Sequence, residues 1–278
     1  MLSSESSPAV VDHDLHVHTT LSSCCGDPEC TAGKLLRRAE VLGLRTIGFA
    51  DHMWDNPACP PSDWYAPQTY EHIARVRDDI AATGSPVRAL VGCESDFFGP
   101  DNIGITPEVA ARLDFVLLPC SHLHMEHAFG KSSRRRPAET ARLLTDLFAG
   151  AVAAGVATGI PHPFVPCGRW ERQTDEIIAC ISDEQFADLF GRAAERGISI
   201  EVHPGHFLPG HDDDTARRRR ETFFRVLTIA RDAGCRFHFA SDAHQLIELD
   251  KVTRLAPYAA QLALTADHIL PLARGAAT

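Results

Sequence analysis

Seven short runs of apolar and β-branched residues alternate with amphipathic segments, and this alternation constrains the fold more than any other feature of the sequence. A strand, a helix and a further strand in repeated succession predict parallel strands joined by right-handed crossovers. Seven such units can close into a barrel or form an open doubly wound sheet. The predicted strands are Val10–Val17, Thr46–Ala50, Val87–Cys93, Phe115–Leu118, Val156–Ile160, Ser199–Val202 and Phe237–Ala240.

The segments between the strands carry signals for helix starts. Thr31 is a predicted N-cap, and a second helix is expected over 67–84. Pro137 is expected to open a long helix with apolar residues at helical spacing. Ser182, with Gln185 three residues later, predicts a capping box. No Gly-x-Gly-x-x-Gly follows the first strand, which argues against a dinucleotide-binding site.

Side chains that can bind metals stand at the end of each predicted strand. In a parallel barrel the carboxyl ends of the strands form the active-site face. One such residue could be a helix cap or a packed histidine, so it is the recurrence along the chain that predicts a site. Residues two apart on a strand point the same way, as in the first strand's His-x-His pair. The candidates are His16, His18, Asp51, His52, Glu94, Asp96, His122, His124, His162, Glu201, His203, His206, Asp242 and His244.

The mixture of donors indicates the class of metal. Several imidazoles with few carboxylates favour zinc, iron or manganese, because magnesium and calcium prefer nearly all-oxygen sites. At about four ligands per ion, the candidates are enough for two or three divalent ions, with Glu94 as a bridge. Such a site suits phosphoryl transfer, since it binds the attacking and the leaving oxygens together.

Five further histidines are not counted among the ligands. His13, His72, His211 and His268 lie away from the strand ends and are expected on the surface. His238 lies within a strand and is expected to be packed.

Six motifs resemble, in order, those of the polymerase and histidinol phosphatase (PHP) superfamily: "DLHVHT", "FADH", "GCE", "SHLH", "PHP" and "SDAH". The resemblance covers most of the chain, from Asp12 to His244. It implies a distorted (β/α)7 TIM-like barrel, an α/β fold, with a trinuclear metal centre. It also implies phosphoester hydrolysis by a metal-bridging hydroxide.

The resemblance implies a set of ligands for each ion. One carboxylate would be shared between the first and second ions. The sets are His16, His18, Glu94 and Asp242 for the first, Glu94, His122 and His162 for the second, and Cys24, His52 and His244 for the third.

Two positions depart from the family pattern. A histidine is usual where this chain has Cys24, but a thiolate also binds zinc or iron. Cys25 is an alternative ligand at this site. A third alternative is that the third ion is weakly bound or absent. The segment before "SHLH" is one residue longer than is common, so His124 is an alternative to His122.

Four residues are candidates for roles beside the metals. Asp242 or His203 is best placed to assist the leaving group, and His203 could instead contact the phosphate or hydrogen-bond to its barrel neighbours. Arginine donates parallel hydrogen bonds to phosphate. Arg169, after the "PHP" segment, and Arg134 are therefore predicted to bind substrate.

Composition narrows the class of protein. The net charge of −10 weighs against a nucleic-acid surface without excluding one. Nine cysteines, an odd number, and no basic-then-apolar leader predict free thiols in the cytoplasm. No apolar run approaches about 18 residues, so no membrane span is expected. Residues 1–9 are expected to be a disordered tail and 10–278 a single domain.

The preferred function is a metal-dependent phosphatase, similar to histidinol phosphatase, acting on a small phosphorylated substrate. A nuclease or nucleotide phosphodiesterase of the same family is one alternative, and a non-catalytic metal-binding protein is another. An amidohydrolase-type deacetylase or deaminase is disfavoured because the bridging lysine of many such enzymes has no counterpart: Lys34, Lys131 and Lys251 all lie away from strand ends. Oligomeric state, metal and substrate stay open, with histidinol phosphate, a nucleotide or another sugar-like phosphate as candidates.

Overall fold

Two parallel sheets and the helices around them form a mixed α/β fold in the computed structural model, which describes residues 7–130 and 135–274 apart from the side chains of 169–171. The strands are β1 (His13–Val17), β2 (Thr46–Phe49), β3 (Arg88–Val91), β4 (Cys93–Glu94), β5 (Phe97–Gly99), β6 (Asn102–Ile103), β7 (Val116–Leu117), β8 (Gly159–Ile160), β9 (Ser199–Val202) and β10 (Phe237–Phe239). One parallel sheet has the order β1-β2-β3 and the other β10-β9-β8-β7-β4, while β5 and β6 form an antiparallel pair. The seven predicted strands are confirmed in position, although most are shorter than predicted.

The edges of the two parallel sheets adjoin. A parallel bridge joins Val17 to Ala243, and the Asp242 N–H donates to the carbonyl of His16 at 2.9 Å, so β1 lies beside the end of β10. At the opposite edges of the two sheets, only Gly92 separates β3 from β4. A Cβ at Gly92 would lie 2.6 Å from the ring of Phe115, so this position requires glycine. The strands thus form two hydrogen-bonded sets with their carboxyl ends on one side.

The helices lie mostly between the strands, and the last ones follow β10. They are α1 (Ala32–Val41), α2 (Tyr70–Ile73), α3 (Val76–Ala81), α4 (Pro107–Ala110), α5 (Glu126–Phe129), α6 (Pro137–Ala153), α7 (Thr174–Ile178), α8 (Asp183–Glu195), α9 (Pro204–Phe207), α10 (Asp214–Asp232) and α11 (Ala256–Gln261), with 3-10 helices at Gly168–Gln173, Leu246–Leu255 and Ala266–His268. The Thr31 cap, the start at Pro137 and the capping box of Ser182 with Gln185 are confirmed. The single helix expected over 67–84 is wrong, because α2 and α3 are separate and short.

Four phenylalanines join α6 and α8 to the loop after β8. Phe148, Phe164, Phe186 and Phe190 are fully buried. The ring centroid of Phe164 lies 5.1 Å from that of Phe148 and 5.0 Å from that of Phe186. Aromatic pairs at this spacing contribute to stability beyond the area that they bury. The loop after β8 is therefore held firmly against the helices.

The amino-terminal segment is hydrogen-bonded from residue 7. The Ala9 N–H donates to the carbonyl of Leu264 at 2.9 Å, and the Ala266 N–H donates to that of Ser7 at 2.8 Å. Backbone hydrogen bonds thus already hold residues 7 and 9, which lie within the segment 1–9 that was expected to be a disordered tail. Within the described residues, no helix combines the length and apolar character that crossing a bilayer requires.

One histidine prediction is wrong and one is confirmed. His13 is buried rather than on the surface, because its Nε2 accepts the Phe239 N–H at 3.0 Å and joins β1 to β10. His238 is packed as expected, with no exposed surface.

Candidate metal centre

The predicted ligands meet at the carboxyl ends of the strands. β1 and the residue directly after it supply two of them, β4 supplies one, and the segments after β2, β7, β8 and β10 supply most of the others. Parallel strands place these ends on one side of a sheet. Six of the nine residues are buried, and the more accessible ones are Cys24, Asp242 and His244.

Glu94 lies between two groups of imidazoles. Its Oε2 is 3.2 Å from Nε2 of His16 and 3.3 Å from Nε2 of His52. Its Oε1 is 3.1 Å from Nε2 of His162 and 3.5 Å from Nε2 of His122. The two carboxylate oxygens therefore face different histidines, an arrangement suited to bridging two cations.

Asp242 faces the first strand. Its Oδ1 lies 3.2 Å from Nε2 of His18 and 3.5 Å from Nε2 of His16. The backbone of Asp242 has a φ of 55°, a left-handed conformation that is uncommon outside glycine. The hydrogen bond to the His16 carbonyl holds it there, so the turn after β10 directs the carboxylate toward β1.

The donor atoms form four groups in which every atom lies within 4.8 Å of the others. These groups are His16, His18 and Asp242; His16, Glu94 and His162; His18, Cys24, His52 and His244; and His122, His162 and Cys167. The structure thus brings all nine predicted ligands together. It adds Cys167, which the sequence analysis did not single out. It also places His122 in the cluster while the side chain of His124 is exposed.

The Nδ1 atoms of four histidines are occupied by other side chains. His16 Nδ1 lies 3.0 Å from Glu201, and His122 Nδ1 lies 2.7 Å from Asp96. The contacts of the other two are His18 with Ser22 at 3.2 Å and His162 with Ser121 at 2.7 Å. A carboxylate only accepts, so neutral His16 and His122 carry their proton on Nδ1 and present a lone pair on Nε2. Partners of this kind fix the ring orientation of metal-binding histidines.

The convergence of lone pairs fits a cation. His16 Nε2 faces His18 Nε2 at 3.1 Å and Glu94 at 3.2 Å, so electron-rich atoms of buried groups oppose one another. Positive charge between them relieves that repulsion, and mixed imidazole and carboxylate donors suit zinc, iron or manganese. The donor set therefore fits divalent ions.

Electrostatics favour the same conclusion. Burial raises the pKa of Glu94, but the neighbouring imidazoles of His16, His52 and His122 outweigh it and hold that pKa well below its usual value. Burial also lowers the pKa of His18 and of His52 to about 4. Burial opposes the charge on His16 and His122 as well, but the neighbouring carboxylates raise the pKa of both rings well above its usual value. These two rings therefore carry positive charge that a bound cation would replace on displacing their protons, because ionised carboxylates and neutral imidazoles are the states that bind metals.

His203 lies beside the cluster. Its Nδ1 accepts the Gly205 N–H at 2.9 Å, and its Nε2 lies 3.8 Å from Oδ2 of Asp242. Burial lowers the pKa of His203 to about 4, so the ring is neutral and Nε2 carries the proton. Arg134 and the side chain of Arg169 lie outside the described part of the chain, and their substrate contacts stay predictions.

Two cavities open onto the cluster, and both are lined by Asp242 and His244. One of about 190 Å³ lies over the predicted ligands and is lined by Cys24, Cys167 and Trp64 among others. The ring of Trp64 packs edge-on against His52 at 5.1 Å, a contact that the sequence analysis missed. The second, of about 570 Å³, extends from His203 to Arg254. A small group at the predicted ligands and a larger one beside them can be accommodated together.

Comparisons with known proteins agree with this geometry. The family model described as "PHP domain" matches residues 14–202. A curated protein of Syntrophotalea carbinolica named "Probable phosphatase" is 27% identical over 119 residues, which cover 43% of each chain. The match thus spans less than half of that relative. The crystal structure of histidinol phosphate phosphatase from Lactococcus lactis, complexed with zinc, L-histidinol and phosphate, superposes with a TM-score of 0.60 at 14% identity, covering 90% of this chain and 94% of that one. At this identity the likeness concerns the fold.

Proposed function

Because the chain belongs to the PHP domain family, we propose that it is a metal-dependent phosphoric ester hydrolase. Its proposed substrate is a small-molecule phosphate ester, so it would act as a phosphomonoesterase similar to histidinol phosphatase. The observation that carries the proposal is the position of Glu94, whose two oxygens face separate groups of histidines inside a cavity. Two or more cations around one carboxylate suit phosphoryl transfer.

The proposed ligands are those of the sequence analysis, with His122 in preference to His124. They would hold two or three ions of zinc, iron or manganese. Divalent ions in such a centre lower the pKa of a water molecule to near neutrality and neutralise the charge of the phosphate oxygens. The donor groups of His16, Glu94 and Asp242 support this, since Nε2 of His16 lies 3.2 Å from the carboxylate of Glu94 and 3.5 Å from that of Asp242.

The chain's own residues would bind and orient the ester. His203, neutral and protonated on Nε2, is placed to donate a hydrogen bond to a phosphate oxygen or to the leaving group. Trp64 would exclude water from the smaller cavity. We propose that the leaving group occupies the larger cavity, where Lys251 is paired with Glu248 at 2.6 Å while Arg254 has no carboxylate partner among the described residues.

The same proposal covers two further features of the protein, the closure of the sheets into a barrel and the cellular location. The adjoining edges of the two parallel sheets support a distorted (β/α)7 barrel, in which the Val17–Ala243 bridge joins the sheets on one side and Gly92 separates β3 from β4 on the other. All nine cysteines are free thiols, which supports a reducing, cytoplasmic setting.

A substrate panel tests the function. The protein is stripped with a chelator, reloaded with zinc, iron(II) or manganese, and assayed on histidinol phosphate, a nucleoside monophosphate, p-nitrophenyl phosphate, single-stranded DNA and N-acetylated amides. We expect phosphate release from the small monoesters, lost on chelation and restored by metal. Activity should fall to background in His16→Ala and Asp242→Ala.

Other outcomes would decide against the proposal. Preferential cleavage of DNA would favour a nuclease, and cleavage of the amides an amidohydrolase. Full metal loading without any turnover on the panel would favour a metal-binding protein. Near-normal turnover in His16→Ala would overturn the assignment of the site.

A further inference from the structure

Cys167 reaches the cluster through an unusually shaped loop. The loop after β8 contains two non-glycine residues with positive φ, His162 at 29° and Phe164 at 61°. Such conformations cost free energy and persist only where surrounding contacts hold them. Phe164 is fixed in the phenylalanine core, and the Cys167 N–H donates to the carbonyl of Ser121 at 3.1 Å. The loop is therefore held at both ends, and its shape returns Cys167 to the site.

The thiol of Cys167 faces two predicted ligands. Its Sγ belongs to the group with His122 and His162 in which all donor atoms lie within 4.8 Å of one another. Ser121, which holds the backbone of Cys167, also contacts Nδ1 of His162 at 2.7 Å, so one residue positions both side chains. The hydrogen bond of the thiol to the carbonyl of Val165 is long, at 3.9 Å. The sulfur is thus close to the imidazoles and only weakly held elsewhere.

We infer that Cys167 is a ligand, as its thiolate, of the ion that Glu94, His122 and His162 hold. This rests on the proposed metal centre. Cys167 brings the protein donors at this ion to four, the number that zinc commonly takes. The centre would then have a sulfur donor in each outer group, Cys24 in one and Cys167 in the other, with the carboxylates between them.

Two thiolates would narrow the choice of metal. Soft sulfur donors favour zinc and iron, whereas manganese and magnesium prefer oxygen. The inference therefore commits the centre to zinc or iron(II), where the imidazoles and carboxylates alone also suit manganese. A zinc–sulfur bond is about 2.3 Å long and a zinc–nitrogen bond about 2.0 Å, so the two can be separated by X-ray absorption.

Zinc-edge X-ray absorption of the zinc-loaded protein is the primary test. The variants are Cys167→Ser, Cys24→Ser and, as a matched control, Cys180→Ser, whose thiol is exposed at the end of α7. We expect a sulfur shell at about 2.3 Å in the native protein. Its amplitude should fall by about half in Cys167→Ser and in Cys24→Ser and stay unchanged in the control. An undiminished sulfur shell in Cys167→Ser would overturn the inference.

Protection from alkylation provides a second measurement that needs no variant. The native protein is treated with iodoacetamide, with zinc bound and after chelation, and the modified cysteines are mapped by mass spectrometry. Cys167 should be protected only when zinc is bound, while Cys180 reacts in both states. Equal labelling of Cys167 with and without zinc would contradict ligation even if the serine variant failed to fold.

The two proposals fail differently. A protein that binds zinc and hydrolyses phosphomonoesters, but keeps its full sulfur shell in Cys167→Ser, refutes the role of Cys167 and leaves the proposed function standing. A protein that binds zinc through Cys167 but hydrolyses no ester refutes the function and leaves the ligand standing. A protein that takes up no metal refutes both.

Discussion

Nδ1 of His16 lies 3.0 Å from Oε2 of Glu201, and both side chains are fully buried. The other oxygen of Glu201 accepts the backbone N–H of His162 at 2.9 Å. One carboxylate on β9 therefore positions two predicted ligands that belong to different strands. His238, the packed histidine of β10, lies 3.3 Å from the same Oε2 and holds Glu201 in turn.

The Glu201→Gln substitution should weaken metal binding without removing a predicted ligand. An amide has one accepting atom where the carboxylate has two, so either the ring of His16 or the backbone of His162 loses its partner. Loss of such an orienting group typically lowers metal affinity by about 10- to 100-fold. Competition with a chromophoric chelator measures the affinity. The control is Glu221→Gln, at an exposed position on α10, and equal affinities in the two variants would contradict the role of Glu201.

Replacing Glu94, the carboxylate that is proposed to bridge two ions, should lower the metal content of the protein by more than one ion. Glu94 faces His16 and His52 with one oxygen and His162 with the other, so Glu94→Ala deprives two groups of a donor. We expect the dialysed variant to retain at most one of the ions that the native protein binds, by elemental analysis. Glu184→Ala, on an exposed face of α8, should retain the full content. Native metal content in Glu94→Ala would exclude the bridge.

The choice between two neighbouring histidines can be tested directly. His122 is buried and its Nε2 lies 3.5 Å from Glu94, whereas His124 is exposed. His122→Ala should therefore lose metal and turnover, while His124→Ala should retain the native metal content. Elemental analysis of the two variants side by side decides the question. The reverse result would make His124 the ligand.

The sequence predicted the strands, and which side chains converge at their ends, better than it predicted the surroundings of these side chains. The strands are readable because each is a local run of apolar and β-branched residues, and the parallel order follows from the helices between them. His16, Glu94 and Asp242 are recognisable because each stands at the end of a strand. The split into two sheets is not readable from any one segment: Gly92, which separates β3 from β4, packs against Phe115 of a later segment.

Roles that depend on distant partners escaped prediction, even where the residue itself, such as Glu201, was among the candidate ligands. Glu201 is separated by 185 positions from His16, and the local sequence of neither strand indicates that contact. His13 was expected on the surface because its partner, the backbone of Phe239, lies at the far end of the chain. Cys167 reaches the site only because His162 and Phe164 adopt a left-handed backbone, which their residue types do not signal.

The buried carboxyl group of Asp14 should make the stability of the protein depend on pH, and replacing this one residue should remove that dependence. Its carboxyl group is fully buried, and its Oδ1 accepts the N–H groups of His16 and Ser241, each at 3.1 Å. Among the described residues, Oδ2 has no hydrogen-bond partner. Burial raises the pKa of Asp14 from 3.8 to about 7 despite the opposing hydrogen bonds. The folded protein therefore holds this proton over a range in which the unfolded chain has released it.

The sign follows from proton linkage. Below about pH 4 both states are protonated and the contribution of Asp14 is fully present; as the pH rises to about 7 the unfolded state ionises first, so stability is lost. The amide that Asp14→Asn introduces cannot ionise. The free energy of unfolding of Asp14→Asn, relative to the native chain, should therefore rise by about 2 to 4 kcal/mol between about pH 4 and pH 8. Any cost of the amide itself is a constant offset, because it does not titrate.

Denaturant unfolding of both chains, after chelation and at a series of pH values, measures this difference. Chelation removes the proton release that accompanies metal binding, and subtracting the two free energies cancels the groups that titrate independently of Asp14. Above the folded-state pKa both states are ionised, so the effect should level off there rather than continue to grow. A difference that stays constant from acid to alkaline pH would mean that Asp14 ionises equally in both states. Burial against the backbone of His16 would then not raise its pKa.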